Sequence, residues 1–316
     1  MRLYPVKLSP AYKDYLWGGT RLKSVFNKEC AYERVAESWE LSAHKDGQST
    51  VCSGDFDGQL LSEYLQKIGK EALGSNCEKY DYFPLLIKLI DAQGNLSVQV
   101  HPSDEYALTH EGEYGKTEMW YILDCEEGAS LYYGFSRDVT KEEYETAIQN
   151  GELTNLLNQV PVKRGDVFFI PAGTVHAIGA GILICEIQQN SNTTYRVYDY
   201  NRRDKDGNLR PLHIEKALAV SNLAKSPERP ETSDGDDVVL AACEYFEVKR
   251  LRVNGEKTVS VNDTSFVSLM VTDGSGALVY DDGKLEFGKG DSIFIPAQNS
   301  DFIIGGHCEV ILSKVN

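Results

Sequence analysis

Two eight-residue segments constrain this chain more than any other feature. Gly165-Asp-Val-Phe-Phe-Ile-Pro-Ala172 and Gly290-Asp-Ser-Ile-Phe-Ile-Pro-Ala297 share six of eight residues. A Gly-Asp turn feeding an apolar strand that stops at proline is a structural unit, and two copies predict two similar β-domains. The surrounding segments PLLIKLI, LSVQV, EMWYILD, ILICEIQQ and TYRVYDY fit this reading. They are short, rich in Val, Ile, Tyr and Phe, and separated by Gly, Asp and Pro. The expected fold is mostly β, two similar sandwich or barrel domains with a few helices, and not a parallel α/β sheet. The copies then diverge: Asp301 stands where the first has His176. If that histidine is a ligand, only the first domain holds a metal.

Three stretches read as helix. Leu60 to Leu73 places Leu61, Tyr64, Leu65 and Ile68 on one face. Thr140 to Leu157 opens on an N-cap threonine with acidic residues behind it, and Gly151 is expected to weaken its middle. His213 to Leu223 carries Ile214, Ala217 and Leu218 in helical register. Residues 224–237, with two prolines and almost no apolar content, read as a linker. The expected organisation is therefore a metal-binding domain over 1–223 and a second, ligand-free domain over 238–316.

The 316 residues carry 32 Lys+Arg against 48 Asp+Glu, a net charge of −16. A field of that sign repels phosphate backbones and anionic bilayers, which excludes nucleic acid and membranes as expected partners. A small anion remains possible where a local basic pocket opposes the field. Seven cysteines, with no C-x-x-C pair, read as reduced core thiols rather than a disulfide framework. No apolar segment has the length of a membrane span or the form of a signal sequence, so a cytoplasmic location is expected.

Gly165, Pro171, Gly173 and His176 follow the pattern G-x5-P-x-G-x2-H. This resembles the second signature of the cupin family, a jelly-roll barrel whose histidine points inward to a metal. The alternative is a core histidine with its hydrogen bonds satisfied. Gln99 and His101 lie two apart in LSVQVHP, hence on one face of a strand, and alternation adds Ser97. Glu118 starts another strong strand. Gln99, His101, Glu118 and His176 would give two nitrogens and two oxygens, a set that suits zinc with an open position. Taken singly, Gln99 could be a strand-edge hydrogen-bonding group and Glu118 a solvated strand end.

LSVQVHP, GKTEMWYIL, FFIPAGTVHAIG and NSNTTYRVYDYNR together resemble the type I mannose-6-phosphate isomerases in their short bacterial form. Trp17-Gly18-Gly19 and Ala36-Glu-Ser-Trp-Glu-Leu-Ser42 fit the same family. The resemblance implies that Gln99, His101, Glu118 and His176 bind one zinc per chain. It further implies that Arg196 is the active-site arginine, and that Lys88 and Lys116 are lysines beside the substrate. Long members carry a histidine directly before the equivalent of Lys116, where this chain has Gly115. They also end the arginine segment in a GLTPK run, where this chain reads YDYNRR, which offers Arg202 as the substitute cation.

The implied reaction interconverts mannose 6-phosphate and fructose 6-phosphate through a cis-enediol. Zinc would act as Lewis acid, and Arg196 would stabilise developing negative charge. Lys88, Ser97 and Lys116 would position the phosphate. Lys88 sits in an almost wholly apolar strand, where its charge needs an anionic partner: a substrate or a neighbouring carboxylate. The base is open among a metal-bound water, Asp199 and Lys116. Two further readings remain at this stage: an iron-dependent cupin oxygenase, and a non-catalytic sugar-phosphate-binding jelly roll.

Overall fold

The computed structural model describes residues 3–203, 206–227, 234–281, 283–298 and 300–316. The fold is mostly β with a few short helices, as the segment pattern predicts. Two compact units divide the chain: one comprises Met1–Asp14, Thr20–Leu89 and Thr232–Asn316, the other Tyr15–Gly19 and Ile90–Glu231. This differs from the expected split between 1–223 and 238–316. Strand pairing supplies the reason. Val6–Ser9 pairs antiparallel with Ser292–Ile295, Val6 opposite Phe294, and Thr50–Val51 pairs with Val6–Ser9 in turn. The N-terminal strand therefore completes the sheet that contains the second repeat copy. Of the expected linker, residues 228–233 lie outside the described residues.

In the first unit, eight strands form one antiparallel sheet whose long members are Glu247–Val261, Val267–Tyr280 and Ser300–Lys314. Their inward side chains, among them Leu251, Leu269, Ile293, Phe302 and Ile304, pack into an apolar core. Asp301 takes no part in that core. It is exposed and accepts a 2.6 Å hydrogen bond from Ser260 Oγ.

The helix over Leu61–Ile68 buries Leu61 and Tyr64, and the chain continues as a 3-10 turn through Leu73.

The strands of the second unit fall in two antiparallel sheets. One runs Leu157–Pro161, Ser130–Phe135, His176–Ala177, Val98–Val100, Tyr195–Tyr198. In the other, Glu118–Cys125 lies between Val167–Ile170 and Ile182–Gln189. The helix Lys141–Asn150 opens on a capping box: Thr140 Oγ1 accepts from Glu143 N at 3.1 Å and Glu143 Oε2 accepts from Thr140 N at 2.9 Å. Gly151 corrects the expectation. It does not weaken a long helix but ends a shorter one, at φ +71°, with its N–H donating back to Ala147 and Ile148. A helix over Asp104–His110 was not foreseen; it buries only Ala107, so it leaves no apolar stripe to read. No helix of the described residues is long and apolar enough to cross a membrane.

The two repeat copies are built identically. Gly165 and Gly290 both hold positive φ, at +89° and +96°. Asp166 Oδ2 accepts from Lys163 N at 2.9 Å, and Asp291 Oδ2 accepts from Gly288 N at 2.9 Å. Each aspartate thus closes its own turn, and the apolar strand follows. All seven cysteines are unpaired. Only Cys77, Cys185 and Cys308 are buried, however, so the expectation of seven core thiols fails for Cys52, which is exposed, and for the half-buried Cys30, Cys125 and Cys243.

Candidate metal centre

Antiparallel register brings four residues of the second unit into one row: Tyr133 faces His176, His176 faces Gln99, and Gln99 faces Arg196. Directly paired residues project to the same side of a sheet, so these side chains share a face. Glu118 comes from the other sheet of the unit. Its Oε1 lies 3.2 Å from His176 Nε2 and its Oε2 lies 3.6 Å from His101 Nε2. Among the described residues, His101, Glu118 and His176 offer ligand atoms all within 4.8 Å of one another, and all three are buried.

The imidazoles are oriented from behind. His101 Nδ1 hydrogen-bonds the Thr193 carbonyl at 2.9 Å and His176 Nδ1 the Thr174 carbonyl at 2.8 Å. A carbonyl accepts only, so Nδ1 carries the proton in each ring and Nε2 presents its lone pair towards Glu118. Burial pushes His176 down to about 4, which favours the neutral, ligating form. Trp120 packs edge-on against His176 at 5.3 Å, its indole N–H held by Glu186 at 2.8 Å. The Gln99 amide stands 3.5 Å from His176 Nε2 through the atom assigned as nitrogen. The two amide atoms exchange by rotation, so the side chain can present oxygen instead. Two Nε2 lone pairs, a buried carboxylate and an amide oxygen fit a divalent ion.

The loop that delivers His176 is tied to His101. Gly173 N–H donates to the His101 carbonyl at 2.8 Å, and Gly173 holds φ +87°. A Cβ there would lie 2.8 Å from the Val220 carbonyl oxygen. Glycine in the G-x5-P-x-G-x2-H run is thus required by both conformation and space.

Lys116 is drawn into the cluster, not left at its rim. Its Nζ lies 3.0 Å from Glu118 Oε2 and 3.2 Å from His101 Nε2, and the residue is buried. The preceding Gly115 stands where the long members carry a histidine, and space explains the departure. A Cβ at 115 would lie 2.5 Å from the backbone of Ser103 and of Asp104, so no histidine fits there in this backbone.

Arg196 is half-buried; its Nη1 donates to the Pro211 carbonyl at 3.1 Å, and its backbone N–H donates to His213 Nδ1 at 3.0 Å. Burial, then the nearby charge of Arg210, lowers its proton affinity. Asp199 is buried between two arginines. Arg210 reaches it through Nε and Nη2, both at 2.6 Å, and Arg202 through Nε at 3.1 Å and through Nη2. Burial alone would raise the Asp199 carboxyl, but the bonds from Arg210 and Arg202 outweigh it and hold it below the usual carboxylate range.

The structure thus gathers Gln99, His101, Glu118, His176 and Lys116, and places Arg196 beside Gln99 in register. Ser97 is buried just before the strand, which begins at Val98 rather than including it. Lys88 belongs to the other unit, where its Nζ lies 3.5 Å from Glu37 Oε2 and 5.0 Å over the Trp39 ring. Glu37 is thus a carboxylate partner of Lys88 within that unit. Sequence reasoning missed Arg210, His213 and the carbonyls of Thr174 and Thr193. Carbonyls leave no trace in residue identity, and Arg210 meets Asp199 across a chain reversal marked by the antiparallel bridge between Arg203 and Leu209.

Residues 6–133 match the family described as phosphomannose isomerase type I, catalytic domain, and residues 237–315 match that described as mannose-6-phosphate isomerase, cupin domain. Mannose-6-phosphate isomerase ManA of Bacillus subtilis is 42% identical, with 100% of both chains covered. The mannose-6-phosphate isomerase of Streptococcus mutans is 38% identical over 99% of this chain and 98% of its own. The crystal structure of a mannose 6-phosphate isomerase from Bacillus subtilis, 40% identical, superposes with a TM-score of 0.89 over 98% of this chain and 99% of that one. The two-part match, the full-length identity and the shared fold lead to one conclusion: this chain belongs to the type I phosphomannose isomerase family.

Proposed function

We propose that this chain interconverts mannose 6-phosphate and fructose 6-phosphate by proton transfer through a cis-enediol, with zinc as its metal. The observation that carries the reading is the convergence of His101, Glu118 and His176 within 4.8 Å, with Arg196 in register beside them. His101 and His176 through Nε2, Glu118 through its carboxylate and Gln99 through its amide oxygen would hold the ion. Zinc, when bound, supplies Lewis acidity to the carbonyl of the ring-opened sugar.

The chain's own residues account for the remaining work. Arg196 presents a permanent positive charge on the ligand face, where negative charge grows as C2 loses its proton. Of the two side-chain candidates for the base, Asp199 is committed to Arg202 and Arg210 and held strongly ionised. Lys116 stands at the ligands, and we assign it the proton transfer: as the neutral amine, freed of the proton that pairs it with Glu118 in the metal-free protein, it takes the C2 proton and, as the ammonium, returns it to C1. Ser97 lies two residues from Gln99 along the chain, on the side of Asn95 and Arg202, and serves the phosphate end. A phosphorylated sugar substrate and seven unpaired cysteines support a cytoplasmic location.

A coupled assay of fructose 6-phosphate formation, run with metal content measured in parallel, tests this. Stripping the metal with a chelator abolishes turnover, and zinc restores it. Undiminished turnover in demonstrably metal-free protein, or no turnover in the zinc-loaded protein, refutes the reading.

A further inference from the structure

We propose that Arg210 recognises the phosphate dianion of the substrate together with Arg202, with Asp199 as the positioning residue that holds their guanidiniums side by side. The identity of the sugar rests on the isomerase reading; the anion site does not. The guanidiniums of Arg202 and Arg210 both hydrogen-bond the single carboxylate of Asp199, and the charge of Arg196 lies near enough to interact with all three. One arginine would suffice to staple this loop through Asp199. The second and third add like-charge repulsion that a further anion would offset, and they do so in a chain of net charge −16. The two uncompensated charges match a phosphate monoester, whose second ionisation has its midpoint near pH ~6 and is largely complete by neutral pH.

Geometry points the same way. Arg210 lays Nε and Nη2 on the two oxygens of Asp199, so two of the five donors of its planar fork are fixed and the fork's orientation with them. Arg196 Nε is buried without a hydrogen-bond partner. Arg202 Nη1 donates to the Asn95 carbonyl, and Asn95 lies two residues before Ser97 and four before Gln99. Arg196 Nη1 donates to the carbonyl of Pro211, the residue after Arg210. The cluster is thus anchored on the approach to the strand that carries Gln99. Ser97 is displaced from Gln99 by about 7 Å at ~3.4 Å per residue. That distance is comparable to an extended six-carbon chain, with reacting carbons at the ligand end and the phosphate at the arginine end.

The test uses the intact, zinc-loaded chain and inorganic phosphate as the probe. In Arg210→Ala the Kd for phosphate, measured by calorimetry, rises at least tenfold. The KM for mannose 6-phosphate rises by a similar factor, while kcat changes less than threefold. Arg210→Lys, which keeps the charge and loses the fork, falls between wild type and Arg210→Ala and supplies the measurement should the alanine variant not fold. Asp199→Asn raises KM and the phosphate Kd together, leaving zinc content intact, as a positioning role requires. A phosphate Kd and KM within twofold of wild type in both Arg210 variants overturn the proposal, as does a fall in kcat at unchanged KM. Phosphate binding that depends on Arg210 in a protein that does not isomerise the sugar would sustain the anion site and refute the isomerase reading alone.

Discussion

Replacing Glu118 by Gln, with the metal removed, isolates what the cluster costs the fold. Glu118 is fully buried and Lys116 nearly so, with 3.0 Å between Nζ and Oε2. At an effective dielectric of ~20, two unit charges at that separation attract by about 5 kcal/mol before desolvation. Glu118→Gln deletes one charge and strands the ammonium beside the His101 imidazole, for an expected loss of about 3–5 kcal/mol. Lys116→Met strands the carboxylate and costs a similar amount. The double variant Lys116→Met/Glu118→Gln removes both charges and with them the penalty, so it lies within about 1–2 kcal/mol of wild type. Urea unfolding of the four chelated proteins reads the cycle directly. A Glu118→Gln variant within 1 kcal/mol of wild type, or a double variant as unstable as the summed singles, would refute a buried ion pair at the ligand cluster. Zinc titration supplies the second readout, because both variants lacking Glu118 lose a ligand and bind zinc far more weakly than wild type.

Arg196→Ala keeps its zinc, since the side chain is no ligand, but loses turnover by about 10²-fold or more; near-normal kcat removes Arg196 from the chemistry. In metal-free protein His176 is held neutral down to about 4, against 6.5 when unfolded. Between those values the unfolded chain binds a proton that the native one refuses, so stability falls as pH drops through that window, by about 3 kcal/mol in all. His176→Asn flattens that part of the pH profile of the urea midpoint, and an equally steep variant refutes the assignment. Gly115→Ala drives a Cβ into the backbone of Ser103 and Asp104 and costs about 1–3 kcal/mol in thermal unfolding. A neutral outcome there would mean that space does not exclude the histidine of the long members.

What could be read from the sequence was whatever depends on local order. Alternation put Gln99 and His101 on one face, and the Gly-Asp turn announced both repeat copies before any strand was paired. Thr140 with Glu143 marked a helix start, because a cap is satisfied within four residues. Gly151 was misjudged because glycine looks alike within a helix and at its end; only the αL turn, with its N–H returned to Ala147 and Ile148, separates the two.

Tertiary structure decided everything that depends on which strands become neighbours. Val6–Ser9 pairs with a strand nearly 290 positions away, a choice no local pattern encodes, and the unit boundaries moved with it. Arg196 lies beside Gln99 by register, Lys116 meets Glu118 by burial, and Arg210 reaches Asp199 by a loop reversal. Residue types and short-range periods specify which groups are available and which way each one faces. Distances between them follow from long-range pairing, where the enclosed interior leaves charged groups no solvent and compels them to find each other.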